Sequence, residues 1–135
     1  YDVRLALELH AAERSVGIVD SERLERFRPL LKESASAHTE EEWDTANATF
    51  HGFQVDLAGN EILSRVYREM PVNLIVQVIR GGRLAEGSEL VHEHRAIVEA
   101  FEAGDLPAAQ QAIRTHIASG TAIVLDVIER AGGML

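Results

Sequence analysis

The stretch Val91–Phe101, VHEHRAIVEAF, decides the fold class. Ile97 and Val98 follow His94 by three and four residues, so all three share one face of a helix. His92, two residues earlier, falls about 200° around that helix and is expected to face outward. The helix is expected from about Glu89 to Ala103, with Gly104 ending it. Asp105 then caps another helix, whose Pro107 sits in the first turn, where a missing N–H costs nothing. This last helix passes through Ile113, His116, Ile117, Ile123, Leu125 and Ile128 to an Ala-Gly-Gly stop.

The same period recurs upstream. A first helix is expected from about Asp2 to Ser15, stopping near Gly17. Asp20 or Ser21 opens a second, with Leu24, Phe27, Leu30 and Leu31 as its buried stripe, and Pro29 should kink it or move its boundary. Thr39-Glu40-Glu41-Glu42 is a capping box, hydroxyl first and carboxylate three residues on. It opens a third helix carrying Trp43, Asn47, Phe50, His51 and Leu57, broken at Ala58-Gly59-Asn60. Asn60 caps a fourth through Ile62, Leu63, Val66 and Tyr67, with a kink expected at Pro71. Its second half, VNLIVQVI from Val72, is β-branched, but no partner strand is in sight. Gly81-Gly82 to Ser88 reads as a flexible loop. About six helices joined by short links give an all-α fold, an antiparallel bundle.

Composition narrows the function. One domain of 135 residues buries enough surface to fold without a staple, and it contains no cysteine for disulfides, thiolate ligands or thiol nucleophiles. Lys and Arg total 13 against 22 Asp and Glu, a net charge of −9, so this chain is not expected to bind a phosphate backbone itself. Lys32 is the sole lysine. No apolar run reaches membrane-spanning length and no basic-then-apolar leader stands at the start, so a soluble, cytoplasmic domain is the default expectation.

Three of the six histidines are placed for chemistry. His51 lies one turn after Asn47, His94 shares the face of Ile97 and Val98, and His116 lies three residues after Ile113. Each alone reads most simply as a core histidine bonded to a carbonyl. Together they would each lose hydration, with repulsion added by any shared proton. A divalent metal resolves that, because neutral imidazole ligates Zn, Ni, Cu and Fe. His10 and His38, near helix ends, are expected at the surface. Asn47 is a weak ligand for Zn or Ni, or else a hydrogen-bond partner for metal-bound water.

The stretches VRLALE (Val3–Glu8), NATFHGFQVDLAGN (Asn47–Asn60), EHRAIVEAFEAGD (Glu93–Asp105) and AIRTHI (Ala112–Ile117) carry a resemblance along essentially the whole chain. In that order they resemble the FCD domain, the effector-binding C-terminal domain of the FadR subgroup of GntR-type transcription regulators. The resemblance implies a Zn or Ni ion held by His51, His94 and His116 in the bundle core, beneath a cavity where a small organic acid completes the coordination. The family's aspartate falls on Asn47, a departure that leaves the site more positive and leans harder on the effector's carboxylate. Asp44, a further turn away, is not expected to substitute. Arg4 transfers as the arginine facing the effector, a role set against a plain surface bridge to Glu8 one turn on. Asn60 is read as a helix cap only, and spacing does not place Asn73 or Arg80.

The resemblance further implies residues 1–135 as an effector-binding and dimerisation domain, a homodimer, and DNA contact only through an N-terminal winged helix-turn-helix. The chain opens abruptly on the motif-bearing helix, so that segment is expected to precede Tyr1. Effector identity, and whether it releases or tightens DNA, stay open. The alternative is a three-histidine bundle enzyme, a DinB-like hydrolase or transferase with a metal-activated water. Against it stands the lack of an evident general base, since Glu93, next to His94, is expected to point elsewhere on its helix.

Overall fold

The computed structural model describes residues 1–70, 87–130 and 132–133. Among them are seven helices and no strand: α1 Asp2–Ser15, α2 Ser21–Glu25, α3 Phe27–Ala35, α4 Glu40–Asp56, α5 Glu61–Glu69, α6 Gly87–Glu102 and α7 Leu106–Arg130. The fold class is the expected all-α bundle. The VNLIVQVI run, Pro71, Asn73 and Arg80 lie outside the described residues, as does most of the glycine-rich loop.

The helix starts follow local chemistry. The Asp20 carboxylate accepts from the Arg23 N–H at 2.8 Å, and Asn60 Oδ1 accepts from the N–H groups of Ile62 and Leu63. Asp105 Oδ1 takes the Ala108 N–H at 3.0 Å, leaving Pro107 in the first turn of α7. At α4 the capping box is complete: Thr39 Oγ1 accepts from the Glu42 N–H at 3.1 Å, and Glu42 Oε2 accepts from the Thr39 N–H at 3.2 Å.

Pro29 moves a boundary rather than kinking a helix. The expected second helix is divided at Arg26 into α2 and α3, and Pro29 occupies the first turn of α3, where its missing donor breaks no ladder. Gly17 and Gly104, both with positive φ, follow the ends of α1 and α6. They also meet: a Cβ on Gly104 would lie 3.5 Å from the Gly17 Cα, so two helix ends share one tight corner.

α1 packs against α4 and α7, α3 against α4 and α6, and α6 along α7. These five helices close a ring around an interior filled with side chains, and α5 lies outside it against α4 and α1. One part of that interior is aromatic and aliphatic. Phe27 meets Phe50, Phe53 and Phe101 with ring centroids 4.8, 5.3 and 5.4 Å apart, and Ile97, Val98 and Ile113 pack with them. Burying each such side chain contributes about 1.5–3 kcal/mol. Leu125 on α7 is exposed, as are Ile62 and Val66 on α5. No helix among the described residues is long and apolar enough to cross a membrane.

Candidate metal centre

The remaining interior is polar. α4 supplies His51, α6 supplies His94 and α7 supplies His116, at 2, 0 and 3% exposure. In each helix the histidine shares its face with core residues: His51 precedes Val55 by four residues, His94 precedes Ile97 and Val98, and His116 follows Ile113. The apolar packing that fixes the helices therefore also fixes where the imidazoles converge.

They converge through Nε2. His51 Nε2 lies 3.1 Å from His94 Nε2 and 3.0 Å from His116 Nε2. The three side chains could hold a metal ion, their ligand atoms all lying within 4.8 Å of one another. Two nitrogens bound to one ion at about 2.0–2.1 Å, with angles near 90–110°, stand roughly 2.9–3.4 Å apart. The two short separations fall in that range.

Burial and the Arg4 guanidinium depress the basicity of His51 to a pKa of about 3. Burial and the neighbouring histidines hold His94 well below the ordinary range. Both rings are therefore neutral near pH 7, with one N–H and one lone pair each. His116 Nδ1 stands 3.0 Å from the Glu93 carboxylate, which accepts only, so an N–H resides on Nδ1, and in the neutral tautomer, the form that ligates a metal, the lone pair is on Nε2. A second lone pair at His51 Nε2 would face it at 3.0 Å, a repulsive contact that a shared cation relieves. The donor set thus fits a divalent metal of the Zn or Ni type.

Around the imidazoles lies a second layer that the sequence reading missed. Glu8, fully buried on α1, accepts from Arg4 Nε and from the Tyr67 hydroxyl, each at 2.7 Å, and from Gln54 Nε2 at 3.2 Å. Its Oε2 also stands 3.4 Å from His51 Nδ1, an ion-pair separation longer than an aligned hydrogen bond. Burial alone would raise the Glu8 pKa, but Arg4 and the other donors outweigh it and hold the carboxyl well below its usual range. Burial likewise opposes the Arg4 charge, and Glu8 more than restores it.

Arg4 does pair with Glu8 one turn on, yet the pair is interior, not the surface bridge set against the cavity role. Arg4 Nη2 is buried without a hydrogen-bond partner, and so are His51 Nδ1 and His94 Nδ1. His94 is held instead by its faces, stacked on Phe50 at 4.3 Å and on Trp43 at 5.8 Å between centroids.

Glu93 corrects an expectation. Its Cα is about 100° around α6 from His94, but its side chain crosses to α7 and meets His116, and the Ser119 hydroxyl donates to it at 2.6 Å. Asn47 is half-buried on α4, one turn before His51. His10, His38 and His92 are exposed, as expected, and play no part in the cluster.

The model of the family described as the FCD domain matches residues 1–119. Among solved structures, the chain is similar to the crystal structure of a GntR-family transcriptional regulator from Pseudomonas syringae pv. tomato str. DC3000. The TM-score is 0.77 at 18% sequence identity, a likeness of fold. It covers 99% of this chain and 58% of that one, so the chain spans rather more than half the length of that regulator. No curated protein matches this chain.

Proposed function

The chain belongs to the FCD domain family, and from that premise we propose that it senses a small organic acid for a GntR-type transcription regulator. The observation that carries the proposal is the convergence of three buried imidazoles beside a buried arginine whose Nη2 has no partner. In this reading His51, His94 and His116 hold a Zn or Ni ion. Bound there, the ion supplies a coordination point for a carboxylate oxygen.

Arg4 would orient the acid by charge-assisted hydrogen bonding, since its Nε is committed to Glu8 and its Nη2 is not. Asn47 contributes no charge, and serves as a weak ligand or as a hydrogen-bond partner for water at the ion. The chain's net charge of −9 supports assigning DNA contact to another part of the regulator, a winged helix-turn-helix preceding Tyr1 in the gene. Effector binding would act by favouring one arrangement of those DNA-binding domains in a homodimer, which requires different affinities for the two arrangements. Such a regulator works in the cytoplasm.

Metal analysis of the purified protein against a His51→Ala, His94→Ala double variant tests the centre. The native chain is expected to retain about one ion and the variant none; equal metal content would end the three-histidine reading. A thermal-shift screen of organic acids, with and without chelator, tests the effector. Stabilisation by acids that persists undiminished in chelator would separate the acid from the metal. The coding sequence upstream of Tyr1 is the third check: without a DNA-binding segment there, the regulator assignment fails.

A further inference from the structure

Each imidazole in the cluster is anchored differently, and the anchors are not ligands. We propose that Glu93 and Glu8 are positioning residues: Glu93, by accepting the Nδ1–H of His116, fixes that ring as an Nε2 ligand, and Glu8, 3.4 Å from His51 Nδ1, orients the second ring the same way once that gap closes. His94 is then the one ligand held by stacking alone. This rests on the metal reading above.

Glu93 makes the stronger case. One carboxylate oxygen stands 3.0 Å from His116 Nδ1, and the other accepts the Ser119 hydroxyl at 2.6 Å, so the group is tethered at both ends across α6 and α7. Ser119 and His116 lie three residues apart, one above the other on α7. An acceptor at Nδ1 dictates the tautomer, and the tautomer dictates that the lone pair points at His51.

Glu8 stands on the opposite side, its Oε2 3.4 Å from His51 Nδ1, which makes no hydrogen bond at that separation. Its orientation is set by three donors: Arg4, Tyr67 and Gln54. Closing the Nδ1 separation by a few tenths of an ångström would give an ordinary hydrogen bond. Glu8 also fixes Arg4, so one carboxylate sets both a ligand and the arginine beside it. Glu93 would bring negative charge toward an ion whose own ligands, as neutral imidazoles, supply none, whereas the charge of Glu8 is met by Arg4. His94 has no such partner: its Nδ1 is buried and unpaired, and Phe50 and Trp43 take its two faces.

The test uses Zn²⁺ as the probe on the full chain, titrated against a competing chelator. The variants are Glu93→Ala, Glu93→Gln, Ser119→Ala and Glu8→Gln. Imidazole ¹H–¹⁵N correlations read the tautomers, and thermal midpoints of the metal-free proteins are measured in parallel. Glu93→Ala is expected to weaken Zn²⁺ binding by about tenfold or more, and to remove the fixed Nδ1–H signature of His116. Glu93→Gln, which keeps an acceptor, should recover part of that loss, and Ser119→Ala should lose less than Glu93→Ala.

Glu8→Gln is expected to perturb His51 but not His116. If Glu8→Gln does not fold, the partly exposed Glu93 still decides the matter. Zn²⁺ held equally by native protein and Glu93→Ala, with the His116 tautomer unchanged, overturns the positioning role and leaves the metal reading standing. Native protein that binds no Zn²⁺ overturns both.

Discussion

The interior of this bundle is built twice over, from the same helices and in two chemistries. On α4, Phe50 joins an aromatic cluster while the adjacent His51 joins a polar one. On α6 and α7 the division falls between Ile97 and His94, and between Ile113 and His116. Both regions are equally dry. The aromatic region needs nothing further, because dispersion and water exclusion are satisfied by any close-packed neighbour. The polar region is not self-sufficient: Arg4 Nη2, His51 Nδ1, His94 Nδ1 and Gln54 Oε1 are buried there without hydrogen-bond partners. A buried polar group left unpaired costs about 1–3 kcal/mol, and natural folds retain that cost mainly where a ligand relieves it.

The sharpest way to break the comparison is to damage each region in turn. Phe101→Ala, in the aromatic region, is expected to cost about 3–5 kcal/mol in chemical denaturation. Arg4→Met should cost a similar amount, about 3–5 kcal/mol, by stranding the Glu8 carboxylate. The two should differ in repair. Adding Glu8→Leu to Arg4→Met should recover more than half the loss, since no buried charge then remains unpaired. If the double variant is no more stable than Arg4→Met alone, the charge pair is not what that region depends on.

Next in size is the response to metal. Zinc at a hundred times its dissociation constant should raise stability by about 2.7 kcal/mol. Phe101→Ala should keep this increment and His51→Ala, His94→Ala should abolish it, as measured by denaturation with and without chelator. A zinc increment of the same size in the histidine variant would show that the ion binds elsewhere. Asn47→Asp sharpens the comparison further by adding an anion beside the imidazoles. It should slow metal loss to a chelator, and an unchanged or faster loss would place Asn47 away from the ion.

The smallest expected effect lies outside both regions, at the start of α4. Thr39→Ala should cost about 1 kcal/mol through the lost cap. Its partner Glu42 is held below the usual carboxylate range, first by the His38 N–H and then by that of Thr39. A carboxyl with a lowered folded pKa stabilises above its ordinary value, and that contribution is lost as pH falls through the folded one. The cost of Glu42→Gln, measured by denaturation across this range, should therefore be present at neutral pH and vanish in acid. A cost independent of pH would mean that the carboxylate charge plays no part in the cap.

The helix starts were legible because caps are local: Asp20, Thr39, Asn60 and Asp105 each bond N–H groups two or three residues away. The inward turn of His94 and His116 was legible because each shares a helical face with aliphatic residues, while His51 was placed by its spacing from Asn47. Glu93 was not legible. A helical wheel places Cβ atoms, and it misjudges a long side chain that reaches about 100° around its helix to a neighbour. Nor was the break at Arg26, where Pro29 announced an interruption but left its position to packing.

By itself, then, the sequence determined most of the helix starts, the caps at Asp20, Thr39, Asn60 and Asp105, and the three imidazoles, all of which depend on spacings of two to four residues. Only the tertiary structure decided that Arg4 and Glu8 lie inside, and that His51 and His116 each face a carboxylate from another helix. Those two carboxylate contacts join residues 43 and 23 positions apart. They exist only once the ring of helices closes, because no local pattern records which groups will meet across it.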